Sequence, residues 1–355
     1  MQSGTMHTNY KVIVYAVFLI SILCSSTLYC AINKNDAHIY FNGKNLTKAT
    51  TNDDILDLSA MNITGIAPGA FADNDAVKIL RLNENLLVTL SSATFRGLNH
   101  VKHINLMGNL IEQLDDNAFS FLPDLEELDL SDNSLTALSP GIPKSLPKLR
   151  QLHLNANKLF LMENSFVGLQ DLELLELTSN NMFDLYDGVF NGLDNLKHLD
   201  LYGNKISELR KDIFQNLRKL QELDLSENII WLIHEGAFQG LKSLEYLWLN
   251  GNQLSTLEDA KIFQGLRKLK TLYLHHNPIS VLDFNCFRNL RSATIEPGFR
   301  INNKIIMNIS DFIKTSISKY TCAFENYNEP YTCHINITLT DANNEKIRKF
   351  GISDL

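Results

Sequence analysis

Two places in the chain set base, acid and nucleophile side chains near one another. Lys197-His198-Leu199-Asp200-Leu201-Tyr202 offers a His/Asp pair and a Lys/Tyr pair, and His275-His276 stand shortly before Cys286. A histidine oriented by a carboxylate is half of an acyl-transfer site, and histidine with cysteine is a zinc-type ligand set. Neither pattern is carried through. His275, His276 and Cys286 lack metal-ligand spacing. No Gly-rich phosphate loop, G-x-S-x-G, H-E-x-x-H or paired C-x-x-C occurs. Period-two alternation puts His198, Asp200 and Tyr202 on the outer side of a strand, and every strand of this chain displays polar residues there. An open sheet face desolvates little, so strong pKa tuning is not expected on it. The sequence reads as a non-enzyme, without metal, catalytic residues or small-molecule cofactor.

These side chains are positioned by a repeat. The frame L-x-x-L-x-L-x-x-N-x-L places its Asn at Asn85, Asn109, Asn133, Asn157, Asn180, Asn204, Asn228, Asn252 and Asn277. The interval is 24 residues except for 23 before Asn180 and 25 before Asn277. An earlier copy, Leu56-x-Leu58 with Ile63, has Met61 in the Asn slot, giving about ten repeats. The alternating leucines predict a short strand with an inward apolar side. A phenylalanine such as Phe95, Phe119, Phe190, Phe214, Phe238 or Phe287 follows on the return leg; Ile142 replaces it once, and Phe166 and Phe263 are shifted by one place. One coil cannot bury this apolar surface alone, so coils must stack. The nine Asn are then buried amides, tolerable only as a structural ladder that pairs the backbone groups freed where each coil turns.

On such strands the outward positions form two rows. One reads Asp57, Arg81, Asn105, Asp129, His153, Glu176, Asp200, Asp224, Trp248, Tyr273; the other reads Ser59, Asn83, Met107, Ser131, Asn155, Thr178, Tyr202, Ser226, Asn250, His275. Fourteen acidic and six basic residues lie on the strands, a difference equal to the net charge of −8 for the whole chain. That balance argues against a nucleic-acid partner. The acidic residues, Asp129, Glu176, Asp200 and Asp224 among them, either solvate the sheet or steer a basic partner. Tyr202, Tyr246, Trp248, Tyr273 and His275, with His276 at their edge, are large aromatics facing water. They either pack on each other and on the tail or anchor a protein partner. Trp231, on the ascending loop, reads as packing.

These repeats resemble the extracellular leucine-rich-repeat superfamily in its 24-residue type, as in Toll and Slit ectodomains and secreted insect immune repeat proteins. The resemblance covers Leu56 to about Leu290. It implies an α/β fold: a right-handed solenoid, or horseshoe, with a concave parallel β-sheet and ligand binding as the usual activity. The chain departs from the pattern at both ends. The N-terminal flank lacks the usual cysteine pair; Ile39-x-Phe41 and Leu46 look like a degenerate first coil with Lys44 in the Asn slot. Asn277-Pro278 resembles the start of a C-terminal cap whose closely spaced cysteines are missing.

The expected organisation is a signal peptide over 1–31, a flank or degenerate cap coil over 32–53, the solenoid over 54–291 and a small C-terminal β element over 292–355. Lys11 and the apolar run Val12 to Cys24, followed by Ser25-Ser26-Thr27, have the order of a secretory signal; the alternative is a signal anchor. Four sequons, at Asn45, Asn62, Asn308 and Asn336, fit export and glycosylation. Cys322 and Cys333 flank a turn-rich stretch and are read as a disulfide staple. If Cys30 leaves with the signal, one thiol is left over, Cys286. It is read either as a half-buried reduced cysteine or as a bridge to a second chain, so a dimer, disulfide-linked or non-covalent, stays open. The function expected is a secreted protein that recognises a protein partner on the concave face, in innate immunity or extracellular signalling. The alternative is an adhesion or matrix protein, anchored through the N-terminal apolar segment.

Overall fold

A computed structural model describes residues 29–34, 37–282, 284–287, 290, 294–296, 299–300, 306–307, 332–333 and 337–338. The chain forms two compact units. The first runs to Leu159 and takes in Val167–Leu169; the second takes Phe160–Phe166 and Gln170 onward.

Each Leu-x-Leu segment forms a strand of three residues whose central leucine or isoleucine is buried between two side chains that face out. In the first unit the strands Ile55–Asp57, Ile79–Arg81, His103–Asn105, Glu127–Asp129 and Gln151–His153 pair in parallel, each in register with the next. In the second, Leu174–Glu176, His198–Asp200, Glu222–Asp224, Tyr246–Trp248 and Thr271–Tyr273 do the same. Thr294–Glu296 adds a further parallel strand, past the expected end of the repeats at 291, and Ile337–Thr338 closes against it antiparallel. The return legs are successive turns. Among the described residues helix is confined to Gly141–Ser145, where Ile142 takes the phenylalanine slot, and the 3₁₀ turn Phe284–Phe287, so the helical share of the α/β fold is small.

The core of each unit is leucine on the strand side and phenylalanine on the return side. Phe71, Phe95 and Phe119 stack at centroid spacings of 6.4 and 5.6 Å. Phe190, Phe214, Phe238, Phe263 and Phe287 continue at 5.8, 6.3, 6.1 and 5.7 Å. Each fully buried side chain of this size stabilises by about 1.5–3 kcal/mol. Close stacking favours glycine two residues past Phe95, Phe190, Phe238 and Phe263. A Cβ on Gly97 would lie 2.5 Å from the Phe71 carbonyl oxygen, and one on Gly265 2.8 Å from that of Phe238.

The asparagines are buried and satisfied. Asn109 accepts from the Leu87 N–H at 3.1 Å and donates to the Leu82 and Leu106 carbonyls at 3.0 and 2.9 Å. Asn204 bridges its neighbour coil in the same way. Asn74, outside the frame, does the equivalent job for the flank, pairing with Thr51, Ala49 and Phe71. The residue before each ladder Asn is left-handed, as at Ala156 (φ 51), Glu227 (φ 51) and His276 (φ 57); Gly108, Gly203 and Gly251 take the same slot at no steric cost.

The N-terminal flank corrects one expectation. Tyr29–Lys34, Ala37–Asn42 and Asn45–Thr50 form an antiparallel sheet, joined in parallel to Gly65–Ile66. It is not a degenerate coil, and Lys44 sits in the Gly43–Lys44 turn rather than an Asn slot. Alternation in this segment has period two throughout, burying Ala37, Ile39, Phe41, Leu46 and Ala49. The first strand begins at Tyr29, so its first three residues fall inside the expected signal peptide. At the other end, Cys333 lies in a strand paired antiparallel with Phe299–Arg300. Cys322, Asn308 and Asn336 lie outside the described residues.

Candidate functional site

The outward rows of the strand sheet are where side chains converge. In the first unit most of them are committed to structure. Asp57 accepts from the Ser59 N–H and hydroxyl at 3.0 and 2.6 Å. Asn105 accepts from Met107 N–H and Asp129 from Ser131 N–H, both at 2.9 Å. Each is an Asx turn that ends the strand by pairing the amide two residues on. In the second unit Asp200 accepts from Tyr202 N–H and Asp224 from Ser226 N–H, both at 2.8 Å, and the Ser226 hydroxyl also donates to Asp224. Asp129, Asp200 and Asp224, read from the sequence as a steering field, therefore carry a structural duty as well. The sequence signal for it was visible: Asp or Asn in the same slot of five strands.

The slot is not Asp or Asn in every strand: Arg81, His153 and Glu176 take it elsewhere. In the next two strands Trp248 and Tyr273 occupy it, in register with Asp224 and with each other. The Trp248 indole offers the Asn250 amide no acceptor. The slot carries a set of stacked rings there. Tyr246 and Trp248 lie 5.9 Å apart, Trp248 and Tyr273 5.5 Å apart with planes 5° from parallel. His275 meets Tyr273 edge-on at 6.2 Å and His276 meets His275 at 5.1 Å. The Lys270 ammonium sits 5.9 Å above the Tyr246 ring and pairs with Glu245. Tyr202, two strands away on the same face, is 42% exposed and makes no ring contact with the stack among the described residues. Asn250 keeps its Oδ1 buried without a hydrogen-bond donor.

The charges around the stack are unevenly matched. Lys197 pairs with Glu173 at 2.6 Å, and His198 with Glu222 at 3.0 Å. Asp200 and Asp224 meet no cation among the described residues. Burial, with Asp224 and Glu176 as negative neighbours, raises the Asp200 carboxyl above its ordinary value against the hydrogen bonds from Tyr202 and Thr178. The His198/Asp200 pair seen in the sequence is not a dyad, because His198 turns to Glu222. Among the described residues no cluster of His, Cys, Asp and Glu has the arrangement of a metal site. Cys286 is fully buried rather than half-buried, so a bridge from its sulfur to a second chain requires the last coil to open.

A second exposed surface was missed in the sequence. On the ascending side of the second unit Phe160, Met162 and Phe183 are 57%, 62% and 65% exposed. Phe160 meets Tyr186 edge-on at 5.4 Å, and the Lys205 ammonium lies 5.1 Å above Phe183. Trp231, expected to pack, is 57% exposed. Its slot, three after the ladder Asn, is the one that Phe160 and Phe183 occupy and that holds Glu112, Thr136, Ser207, Ser255 and Ser280 in other coils, and the polar members are the signal for an outward position.

A family model described as leucine rich repeat matches residues 54–111, 100–159, 160–206 and 194–254. A second, described as leucine rich repeats in two copies, matches 242–290. Among solved structures, a chain of a TLR13–ssRNA13 complex is 28% identical with a TM-score of 0.64; the match covers 69% of this chain and 40% of that one. A chain of an octameric complex of latrophilin 3 (Lec, Olf), Unc5D (Ig, Ig2, TSP1) and FLRT2 (LRR) is also 28% identical, with a TM-score of 0.56 and coverage of 63% and 68%. The chain thus spans less than half the length of the TLR13-complex chain. No curated protein matches.

Proposed function

The chain belongs to the leucine-rich-repeat family, and from that membership we propose that it is a secreted recognition protein holding a protein partner on its strand face, in innate immunity or extracellular signalling. The observation that carries the reading is the stack of Tyr246, Trp248 and Tyr273 on a strand face that elsewhere presents polar side chains, beside the Asp224 and Asp200 carboxylates. Large rings on a sheet face supply much contact area at little rotamer cost, which is the chemistry of interface anchors. The likeness to a chain of the latrophilin 3–Unc5D–FLRT2 complex supports a protein partner. The TLR13 structure holds single-stranded RNA, but the acidic strand face of this chain disfavours a polyanion.

Export is proposed on the apolar N-terminal run and on Asn45 and Asn62. A mature chain that keeps the N-terminal hairpin whole is cut ahead of Tyr29 and retains Cys30. N-terminal sequencing of the secreted protein checks this.

The test of the recognition reading is capture from extracellular fluid under non-reducing conditions. The wild type is compared with Trp248→Ala/Tyr273→Ala and with Phe160→Ser/Phe183→Ser. Loss of the captured band in the first variant alone supports the strand face. Loss in the second alone moves the site to the ascending side.

A further inference from the structure

We propose that the junction between the aromatic stack and Asp224 and Asp200 seats an arginine side chain of the protein partner, the guanidinium lying on the rings with its N–H groups directed at the carboxylates. The inference rests on the strand face being the partner surface and says what chemistry that surface reads.

Three independent features converge. First, the stack ends beside carboxylate: Trp248 is in register with Asp224, Tyr246 with Glu222, and Asp224 in turn with Asp200. Adjacent strands lie about 4.8 Å apart, the separation at which a planar cation on a ring reaches acceptors on the next strand. Second, acceptor capacity is left over. Ser226 takes Oδ1 of Asp224, and no cation among the described residues meets Asp224 or Asp200. Third, the same chemistry is already present within the chain. Lys270 sits over the Tyr246 ring and is held there by Glu245. A cation on a ring beside a carboxylate is thus an arrangement this face supports. His198 cannot supply the missing charge, being turned to Glu222, nor can Lys197, held by Glu173.

Arginine fits better than lysine. Its fork of N–H donors serves two carboxylates at once, and its flat, weakly hydrated face stacks on indole; an ammonium is a compact, strongly hydrated point charge. Burial first, and the negative neighbours Asp224 and Glu176 after it, raise the Asp200 carboxyl, and a guanidinium seated there would offset the part due to like charge.

The test uses the full chain and an intrinsic reporter. The sequence holds two tryptophans, so Trp231→Phe, on the ascending side of its coil, leaves Trp248 as the only tryptophan, selected by excitation at its red edge. The probes are three short capped peptides of alternating glycine and arginine, citrulline or lysine. The arginine peptide is expected to quench Trp248 saturably, with the citrulline and lysine peptides about tenfold weaker. Asp224→Asn is expected to weaken the arginine peptide about tenfold while thermal unfolding stays within a few degrees, because Asn105 shows that an amide makes the same turn. Calorimetry with Trp248→Leu, which keeps an apolar side chain, gives a second reading independent of fluorescence. Equal binding of the citrulline peptide, equal binding of the lysine peptide, or indifference to Asp224→Asn overturns the arginine seat. If partner capture is nonetheless lost in Trp248→Ala/Tyr273→Ala, the strand face stands and only its chemistry is wrong. If capture is unmoved by that variant, the face itself is overturned.

Discussion

Asp57 and Asp200 occupy the same slot of their coils and make the same turn, yet their surroundings push them in opposite directions. At Asp57 burial raises the carboxyl, but hydrogen bonds from Ser59 and the nearby Lys34 ammonium outweigh it and hold the group below its ordinary value. At Asp200 burial again raises it, and here Asp224 and Glu176 add to the rise. One aspartate is finished by the chain's own cation, supplied by the N-terminal hairpin. The other is left among like charges beside a set of half-buried, stacked rings. The difference separates a turn that serves the fold alone from one that serves the fold and leaves charge for something else.

The largest effect expected from this contrast is on binding. Trp248→Ala/Tyr273→Ala removes the rings next to the unmatched carboxylates and is expected to weaken the partner by about 2 kcal/mol or more, roughly 30-fold. Thermal unfolding should move by only a few degrees, since both side chains face out. A matching pair of changes on the finished side, Asp57→Asn with Lys34→Met, should leave affinity intact. Titration of captured partner against each variant separates the two outcomes, and equal losses break the comparison.

Next come stability and its pH dependence. Asp57→Asn keeps the turn but loses the ion pair to Lys34, and is expected to destabilise by about 1 kcal/mol. Asp200→Asn keeps the turn and relieves repulsion, so it should leave stability unchanged or raise it. The signs follow from linkage. Asp57 titrates lower in the folded state, so its contribution is present above the unfolded pKa near 4 and is lost as pH falls through the folded value. Asp200 titrates higher when folded, so its ionisation costs stability once pH exceeds that of the unfolded carboxyl, and the cost vanishes in acid. Any gain of Asp200→Asn should vanish once pH falls below the unfolded carboxyl near 4, whereas the deficit of Asp57→Asn should only begin to shrink there and close as pH falls through the lower folded value. Melting curves across pH 3 to 7 provide the check. A gain at Asp57 or a clear loss at Asp200 reverses the argument.

Much of this could be read from residue spacing. Leucine alternation, the phenylalanine column and the nine asparagines specify strand, return leg and ladder, because each is a burial requirement repeated at fixed intervals. The flank was misread because Ile39-x-Phe41 satisfies a coil's strand pattern as well as a hairpin's; only the pairing direction distinguishes them, and pairing is long-range. The acidic and aromatic residues were visible as outward, but the Asx duty of Asp129, Asp200 and Asp224 was not drawn from their shared slot. Trp231 lies outward although tryptophan normally packs; its slot mixes polar residues such as Glu112, Thr136 and Ser207 with Val88, Phe160 and Phe183, so residue type alone leaves its direction ambiguous. The unfinished state of Asp200 depends on where His198 and Lys197 turn, and residue types do not fix that.

The smallest effect tests whether strain, too, differs between the two kinds of coil. Ala156 and His276 both stand left-handed before a ladder asparagine, at φ 51 and 57. A left-handed residue with a Cβ costs roughly 1–2 kcal/mol, and glycine removes that cost while adding roughly 0.4–1 kcal/mol of unfolded-state entropy to be lost. Glycine at either site should therefore stabilise by about 0.5 kcal/mol. The coils should part company in binding. Ala156 contributes no ring, so Ala156→Gly gains stability at no loss of affinity. His276 extends the stack through His275, so His276→Gly should gain the same stability and lose a few-fold in affinity. Denaturant unfolding and partner titration on the two variants decide it. If His276→Gly binds as well as wild type, the recognition surface stops at His275 and the strain before Asn277 has no purpose beyond the turn.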